Sequence, residues 1–134
     1  MDPIRKVLEE SKTIAVVGAS NNPERHSYEV AQYLQRQGFK IIPVNPALTE
    51  MLGEKAYPDV LSIPGPVDVV DVFRRPEAVP EVVEQAIAKG AKVVWMQPGA
   101  ENMEAAERAM GAGLEVIMGV CMMQEHGALS AKTA

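Results

Sequence analysis

The sequence predicts a doubly wound, Rossmann-like α/β domain, a five-stranded parallel sheet with helices on both faces. Three observations lead there. Five short β-branched runs recur along the chain, the stretches between them carry a helical period, and strand and helix alternate strictly. Alternation demands crossover connections, which join parallel strands. Runs such as AVV and DVV are also continuous in apolar character, as strands buried on both faces should be.

Taken in order, Asp2-Pro3 suits an N-cap followed by the first helical position. Residues 13–18 (TIAVVG) form the first strand, and a helix over about 27–37 ends at Gly38, a glycine suited to the left-handed C′ position. Residues 39–44 (FKIIPV) form the second strand. The longest non-periodic stretch, residues 46–66, carries four prolines and two glycines, leaves room for a short helical turn, and is a candidate ligand rim. Residues 67–72 (VDVVDV) form the third strand. Val79, Val82, Val83, Ala86 and Ile87 then fall on one helical face, with Pro80 in the first turn and Gly90 at C′. Residues 92–96 (KVVWM), a helix over about 102–112 and residues 115–118 (EVIM) complete the set. The strands start about 25 residues apart without a shared side-chain pattern, so the spacing is one strand plus one helix and not a solenoid repeat.

At 134 residues the chain fits a single domain, 1–134, and its 47% hydrophobic content supplies a core. No apolar run approaches the length of a membrane span, and residues 1–10 (MDPIRKVLEE) lack the features of a signal peptide. The expected location is cytoplasmic. One cysteine, Cys121, excludes an internal disulfide framework and a Cys-cluster metal site, and two histidines far apart oppose a zinc site. A net charge of −5 with 4% aromatics opposes nucleic acid as a partner. Residues 18–46 are nonetheless net +1, against −6 for the remainder, and can accept an anionic small molecule.

In this architecture ligands bind beyond the carboxyl ends of the strands, where chain progression reverses. For a strand order 3-2-1-4-5 that place lies between the first and fourth strands, at the loops 18–26 and 97–100. The first loop runs into a helix, so its N–H groups and the helix N-terminus face a phosphate. The dinucleotide fingerprint needs glycines at 18, 20 and 23, but Ser20 and Pro23 stand at two of them. The second strand ends in Val44-Asn45-Pro46, without the acid that holds a ribose. Both departures oppose NAD. No P-loop motif is present. His26 has no Cys, Asp or Ser partner at catalytic spacing and reads as a surface or helix-start residue. Asp68 and Asp71 sit where a receiver domain keeps its phosphate acceptor, but Gly18-Ala19-Ser20 replaces the acids such a domain needs. The methionines read as core fill and Cys121 as a buried thiol.

Residues 17–46 (VGASNNPERHSYEVAQYLQRQGFKIIPVNP) resemble the CoA-binding domain family, whose small members carry VGAS-x-[ND]-P and then G-[FY]-x-x-x-PVNP. The resemblance continues through VDVVDVFR (67–74), VWMQPG (94–99) and GLEV (113–116), covering roughly residues 8–126. The same domain type opens succinyl-CoA synthetase alpha subunits. The resemblance implies that Gly18, Ala19, Ser20 and Asn21 meet the CoA diphosphate, with Arg25 as a phosphate partner. It implies that Val44, Asn45 and Pro46 border the adenosine, Phe73 and Arg74 form the adjoining wall, and Gln97, Pro98 and Gly99 face the pantetheine arm. Ser20 and Asn21 equally suit a turn and helix cap. Relatives often read Asp-Arg-Cys where this chain has Gly119-Val120-Cys121, and often lack a proline at the position of Pro98.

The expected function is non-enzymatic binding of CoA or acyl-CoA, because no nucleophile shows a positioned base in the sequence. The alternatives are a CoA-handling subunit of a multi-chain acyl-CoA synthetase and a nucleotide- or NAD-sensing module. The Met-rich tail is a candidate surface for a protein partner or a homo-oligomer. Cys121, past the fifth strand, is placed for a mixed disulfide with the CoA thiol.

Overall fold

The computed structural model describes residues 2–133. Helix α1 (Pro3–Glu10) starts where Asp2 caps it, its Oδ1 accepting from the Ile4 N–H at 2.9 Å. Then follow β1 (Thr13–Val17), α2 (His26–Arg36), β2 (Lys40–Val44), β3 (Glu50–Met51), β4 (Glu54–Lys55), β5 (Val69–Val72), α3 (Val79–Lys89), β6 (Val93–Met96), α4 (Met103–Gly111), β7 (Glu115–Met118) and α5 (Met122–Thr133). All five expected strands are present and pair in parallel.

Their order is β2-β1-β5-β6-β7, which in terms of the five long strands is 2-1-3-4-5. The expected 3-2-1-4-5 is therefore corrected, and the reversal point moves to lie between β1 and β5, the first and third long strands. The chain leaves β2, crosses β1 and enters β5 through a connection that carries no α-helix. Hydrophobic pattern identifies a buried strand but is silent about which neighbour it takes, so nothing in the residue runs distinguishes the two orders.

Alternate strand residues enter two separate cores, as burial on both faces requires. Ile14, Val16, Ile41, Val69 and Trp95 pack with Leu34, Val7 and Met122 from α2, α1 and α5. Ala15, Val17, Ile42, Val70, Val94 and Met96 pack with Val83, Ala86, Ala106 and Ala109 from α3 and α4, and with Val60 and Ile63 from the connection. Met103 and Met110 lie on the solvent side of α4, 60% and 52% exposed, so the expectation of core fill fails for them. Alanines supply that helix's buried stripe.

The stretch 46–66 contains an antiparallel hairpin, β3–β4, in place of the expected helical turn. Leu52 and Gly53 form its two-residue turn with φ of 53° and 78°, the left-handed pair that a tight hairpin needs. Tyr57 then runs beside Val44, its N–H donating to Pro43 and its carbonyl accepting from Asn45. This covers the carboxyl end of edge strand β2. The Met-rich tail is a helix, α5, held by Met122 in the core and by a 2.8 Å hydrogen bond between the Tyr33 hydroxyl and His126 Nδ1.

Candidate functional site

After β1 the chain passes to the α2 face, and after β5 to the α3 face, so the two departing loops open a crevice between them. Gly18 ends β1 with φ of 90°. A β-carbon there would overlap the Phe73 carbonyl oxygen and lie 3.2 Å from Arg74 Cδ. Only glycine lets the two loops meet this closely. The N–H groups of Gly18 and Ala19 turn back to the Val44 carbonyl, at 3.0 and 3.4 Å, so they continue the sheet and do not face the crevice as free donors.

The free donors lie one step further along. The backbone N–H groups of Ser20, Asn21, His26 and Ser27 make no hydrogen bond among the described residues. Helix α2 has Arg25 as its N-cap residue, without a side-chain cap, so its first turn keeps open donors at the positive end of the helix dipole. The turn itself is tied down: Ser20 Oγ accepts from the Asn22 N–H at 3.0 Å, and Asn21 Nδ2 donates to the Glu50 carbonyl at 2.9 Å. Asn45 Nδ2 donates to the Ala19 carbonyl at 2.8 Å, while its Oδ1 accepts from the Ala47 N–H at 2.8 Å. With both ends of its amide engaged, Asn45 holds the turn against β2.

Three connected recesses follow. The central one, about 380 Å³, is lined by Gly18, Ala19, Ser20, Arg25, His26, Ser27, Asn45 and Phe73. Through His26 and Phe73 it joins a second of about 310 Å³, which adds Arg74, Gln97, Pro98 and Gly99. Arg74 also borders a third of about 370 Å³ with Val17, Val44, Pro46, Asp59, Val60 and Glu81. Their combined size suits a nucleotide-sized ligand. Every residue named from the sequence as a site candidate lines this crevice except Asn21, whose side chain is turned to the hairpin. His26, Ser27, Asp59 and Glu81 were not among those candidates. For Ser27 a signal existed, namely its place in the first turn of a helix entered from a ligand loop.

Arg25 and Arg74 form no ion pair among the described residues, and both guanidinium-bearing residues line the crevice. Asp71 is fully buried in β5, its Oδ1 accepting from Nε2 of the recess residue Gln97 at 2.8 Å. Desolvation pushes its carboxyl up to about 8, against the smaller opposing effect of the Gln97 bond. At neutral pH Asp71 is therefore the neutral acid. Gln97 Oε1 is buried with no hydrogen-bond partner among the described residues.

His26 does have a partner, contrary to expectation. Its Nε2 lies 3.6 Å from Cys121 Sγ, and its Nδ1 lies 3.5 Å from Glu29 Oε1. A separation of 95 positions in the chain hid the first contact from spacing arguments. Cys121 is buried as expected, and that burial pushes its thiol up. Among the described residues no group of three His, Cys, Asp or Glu side chains is arranged to hold a metal ion.

A recess of about 350 Å³ also opens at the amino ends of the strands, between Lys6, Glu10, Asp68 and Lys92. Its chemistry differs. Asp68 Oδ2 accepts from the N–H groups of Lys12 and Thr13 at 2.8 and 3.1 Å, and Lys92 lies 3.7 Å from its other oxygen. Asp68 at this end is thus engaged by main-chain donors, whereas the crevice at the carboxyl ends keeps unbonded main-chain donors beside Arg25.

Comparison with known proteins agrees with this geometry. The model of the CoA binding domain matches residues 12–127. The uncharacterized protein YneT of Bacillus subtilis is 44% identical over 123 residues, covering 92% of this chain and 91% of that protein. The alpha subunit of ADP-forming acetate–CoA ligase II of Pyrococcus furiosus is 36% identical over 131 residues, and this chain spans 29% of its length. Among solved structures, a hypothetical protein from Pyrococcus horikoshii superposes with a TM-score of 0.93 at 50% identity, covering 95% of this chain and 89% of that one. Sequence match, fold and the open crevice at the strand reversal converge, and the chain belongs to the CoA-binding domain family.

Proposed function

We propose that the protein binds CoA or an acyl-CoA in this crevice without performing chemistry on it in the manner of an enzyme. The observation that carries this reading is the set of unbonded N–H donors at Ser20, His26 and Ser27 on the central recess, with Arg25 on the same recess and Arg74 on the two adjoining ones, neither arginine in an ion pair among the described residues. The donors of Ser20, Asn21, His26 and Ser27 take the diphosphate, and Arg25 adds charge. Gly18 and Ala19 shape the turn and let it approach Phe73. Val44 and Pro46 border the adenosine with Arg74 beside it, and Asn45 holds the turn. Gln97, Pro98 and Gly99 face the pantetheine arm.

Thermal unfolding tests the ligand class. CoA at about a hundred times its dissociation constant stabilises the folded state by about 2.7 kcal/mol and raises Tm. NAD, NADP and ATP leave Tm unchanged on this reading. A rise with NAD and none with CoA would replace it with a nucleotide-sensing module.

The similarity to a ligase alpha subunit favours a second reading, a CoA-handling component whose chemistry resides on a separate chain. Native mass spectrometry of the protein from its own cells tests this, and recovery of the chain alone counts against it.

A further inference from the structure

We propose that Cys121, with His26 as its base and Glu29 orienting that base, is a thiol-exchange site for CoA disulfide. The proposal rests on the CoA reading above and extends it to chemistry at the sulfur end of the ligand.

The side chains stand in sequence: Glu29 Oε1 lies 3.5 Å from His26 Nδ1, and His26 Nε2 lies 3.6 Å from Cys121 Sγ. The Glu29 carboxylate lies on the Nδ1 side of the ring and Nε2 faces the sulfur, the same order of groups that activates a nucleophile. Cys121 also immediately precedes α5, and its sulfur receives the N–H groups of Met123 and Gln124, donors that stabilise a thiolate.

A second observation points to a ligand here. His26 lines both the diphosphate recess and the recess of Gln97. Gln97, 1% exposed, lines that second recess, and its carbonyl oxygen, Oε1, is buried with no hydrogen-bond partner among the described residues. An amide-bearing arm ending in sulfur fits an acceptor followed by a thiol.

The resting group is the thiol, because burial outweighs the two N–H bonds and raises it. Reaction therefore needs the base. His26 Nε2 takes the Cys121 proton, and the sulfur attacks one sulfur of CoA disulfide. The S–S bond breaks, a Cys121–S–S–CoA bond forms, and the departing CoA thiolate takes the proton back from His26. Cys121 is oxidised, one CoA is reduced, and the disulfide supplies the oxidising equivalent. Cys121 does not itself line the crevice, so the step requires the exposed His26 ring, once it holds the Cys121 proton, to swing off the sulfur and admit the disulfide.

The test is intact mass after incubation with CoA disulfide or, separately, glutathione disulfide. The expected result is one CoA adduct, removed by reductant and absent from Cys121→Ser. Glutathione disulfide and the His26→Gln variant each react at least about tenfold more slowly, the latter because the base is lost. No adduct from CoA disulfide, or equal rates with the two disulfides, overturns the proposal. Calorimetry with reduced CoA on Cys121→Ser separates the layers. Binding without any wild-type adduct removes the exchange site alone, whereas absence of binding removes the CoA reading and this proposal with it.

Discussion

Gly18 and Phe73 meet where two neighbouring strands leave the sheet in opposite directions. The Gly18 backbone has φ of 90°, and a β-carbon on it would overlap the Phe73 carbonyl oxygen. Phe73 in turn donates its N–H to the Val17 carbonyl at 2.8 Å, so the contact is fixed from both sides. The crevice exists because this crossing has no side chain in it.

Gly18→Ala therefore combines backbone strain with a steric clash against main chain, which cannot rotate away. The expected cost is about 2–4 kcal/mol, read as a lowered midpoint in urea unfolding. Gly38→Ala is the control: Gly38 also has positive φ but has nothing within reach of a β-carbon, and it loses only about 1 kcal/mol.

Asp71 sets a pH dependence. Its folded carboxyl is raised by burial to about 8, above the unfolded value near 4. Between those values the folded state holds a proton that the unfolded chain has lost. Stability accordingly falls as pH rises through that window, by up to about 1.4 kcal/mol per pH unit, and levels off above it. Asp71→Asn keeps an acceptor for Gln97 Nε2 without the charge. That variant is expected to be more stable than the wild type at pH 8 and to lack the decline, as measured by unfolding at pH 5, 6.5 and 8.

Asp68 works in the other direction. Partial burial raises its carboxyl, but the N–H groups of Lys12 and Thr13 and the Lys92 ammonium outweigh that and hold it below the ordinary range. Its contribution is present above the unfolded carboxylate value and is lost as pH falls through the folded one, below about 4. Asp68→Ala leaves two N–H donors at the start of β1 without their acceptor, at a cost of about 2 kcal/mol at neutral pH. Acid unfolding of the variant is expected to lose that component of its pH dependence.

Asn45 separates positioning from contact. Its amide ties the Ala19 carbonyl to the Ala47 N–H and carries no charge to offer a phosphate. Asn45→Ala is expected to destabilise by about 1–2 kcal/mol and to weaken CoA binding through a loosened turn. Its binding keeps the salt dependence of the wild type. Arg74→Ala, by contrast, is expected to weaken binding with a shallower response to salt, since one screened charge is gone.

Much of this arrangement is legible in the residues. The five β-branched runs, the caps at Asp2 and Gly90 and the apolar face of α3 formed by Val79, Val82, Val83 and Ala86 match the observed elements, because burial and backbone geometry act locally. The crevice residues, too, come from loops that the strand ends define. What the sequence hides is placement. It does not say that β5 lies beside β1, because any buried parallel strand satisfies either neighbour. It does not show that the amides of Gly18 and Ala19 bond to Val44 while those of Ser20 and Asn21 stay open, nor that Cys121 approaches His26 across 95 positions. Each of these is a long-range contact created by strand order, and each bears on the site.

Calorimetric titration of CoA into the wild type and into Arg25→Ala tests the central claim most directly. The account predicts micromolar or tighter binding by the wild type, preferred over NAD and ADP. It also predicts a loss of about tenfold or more in the variant, because a charge-assisted bond to phosphate is removed. No heat with CoA, or equal affinity with and without Arg25, would contradict the assignment of the Gly18 crevice as a CoA site.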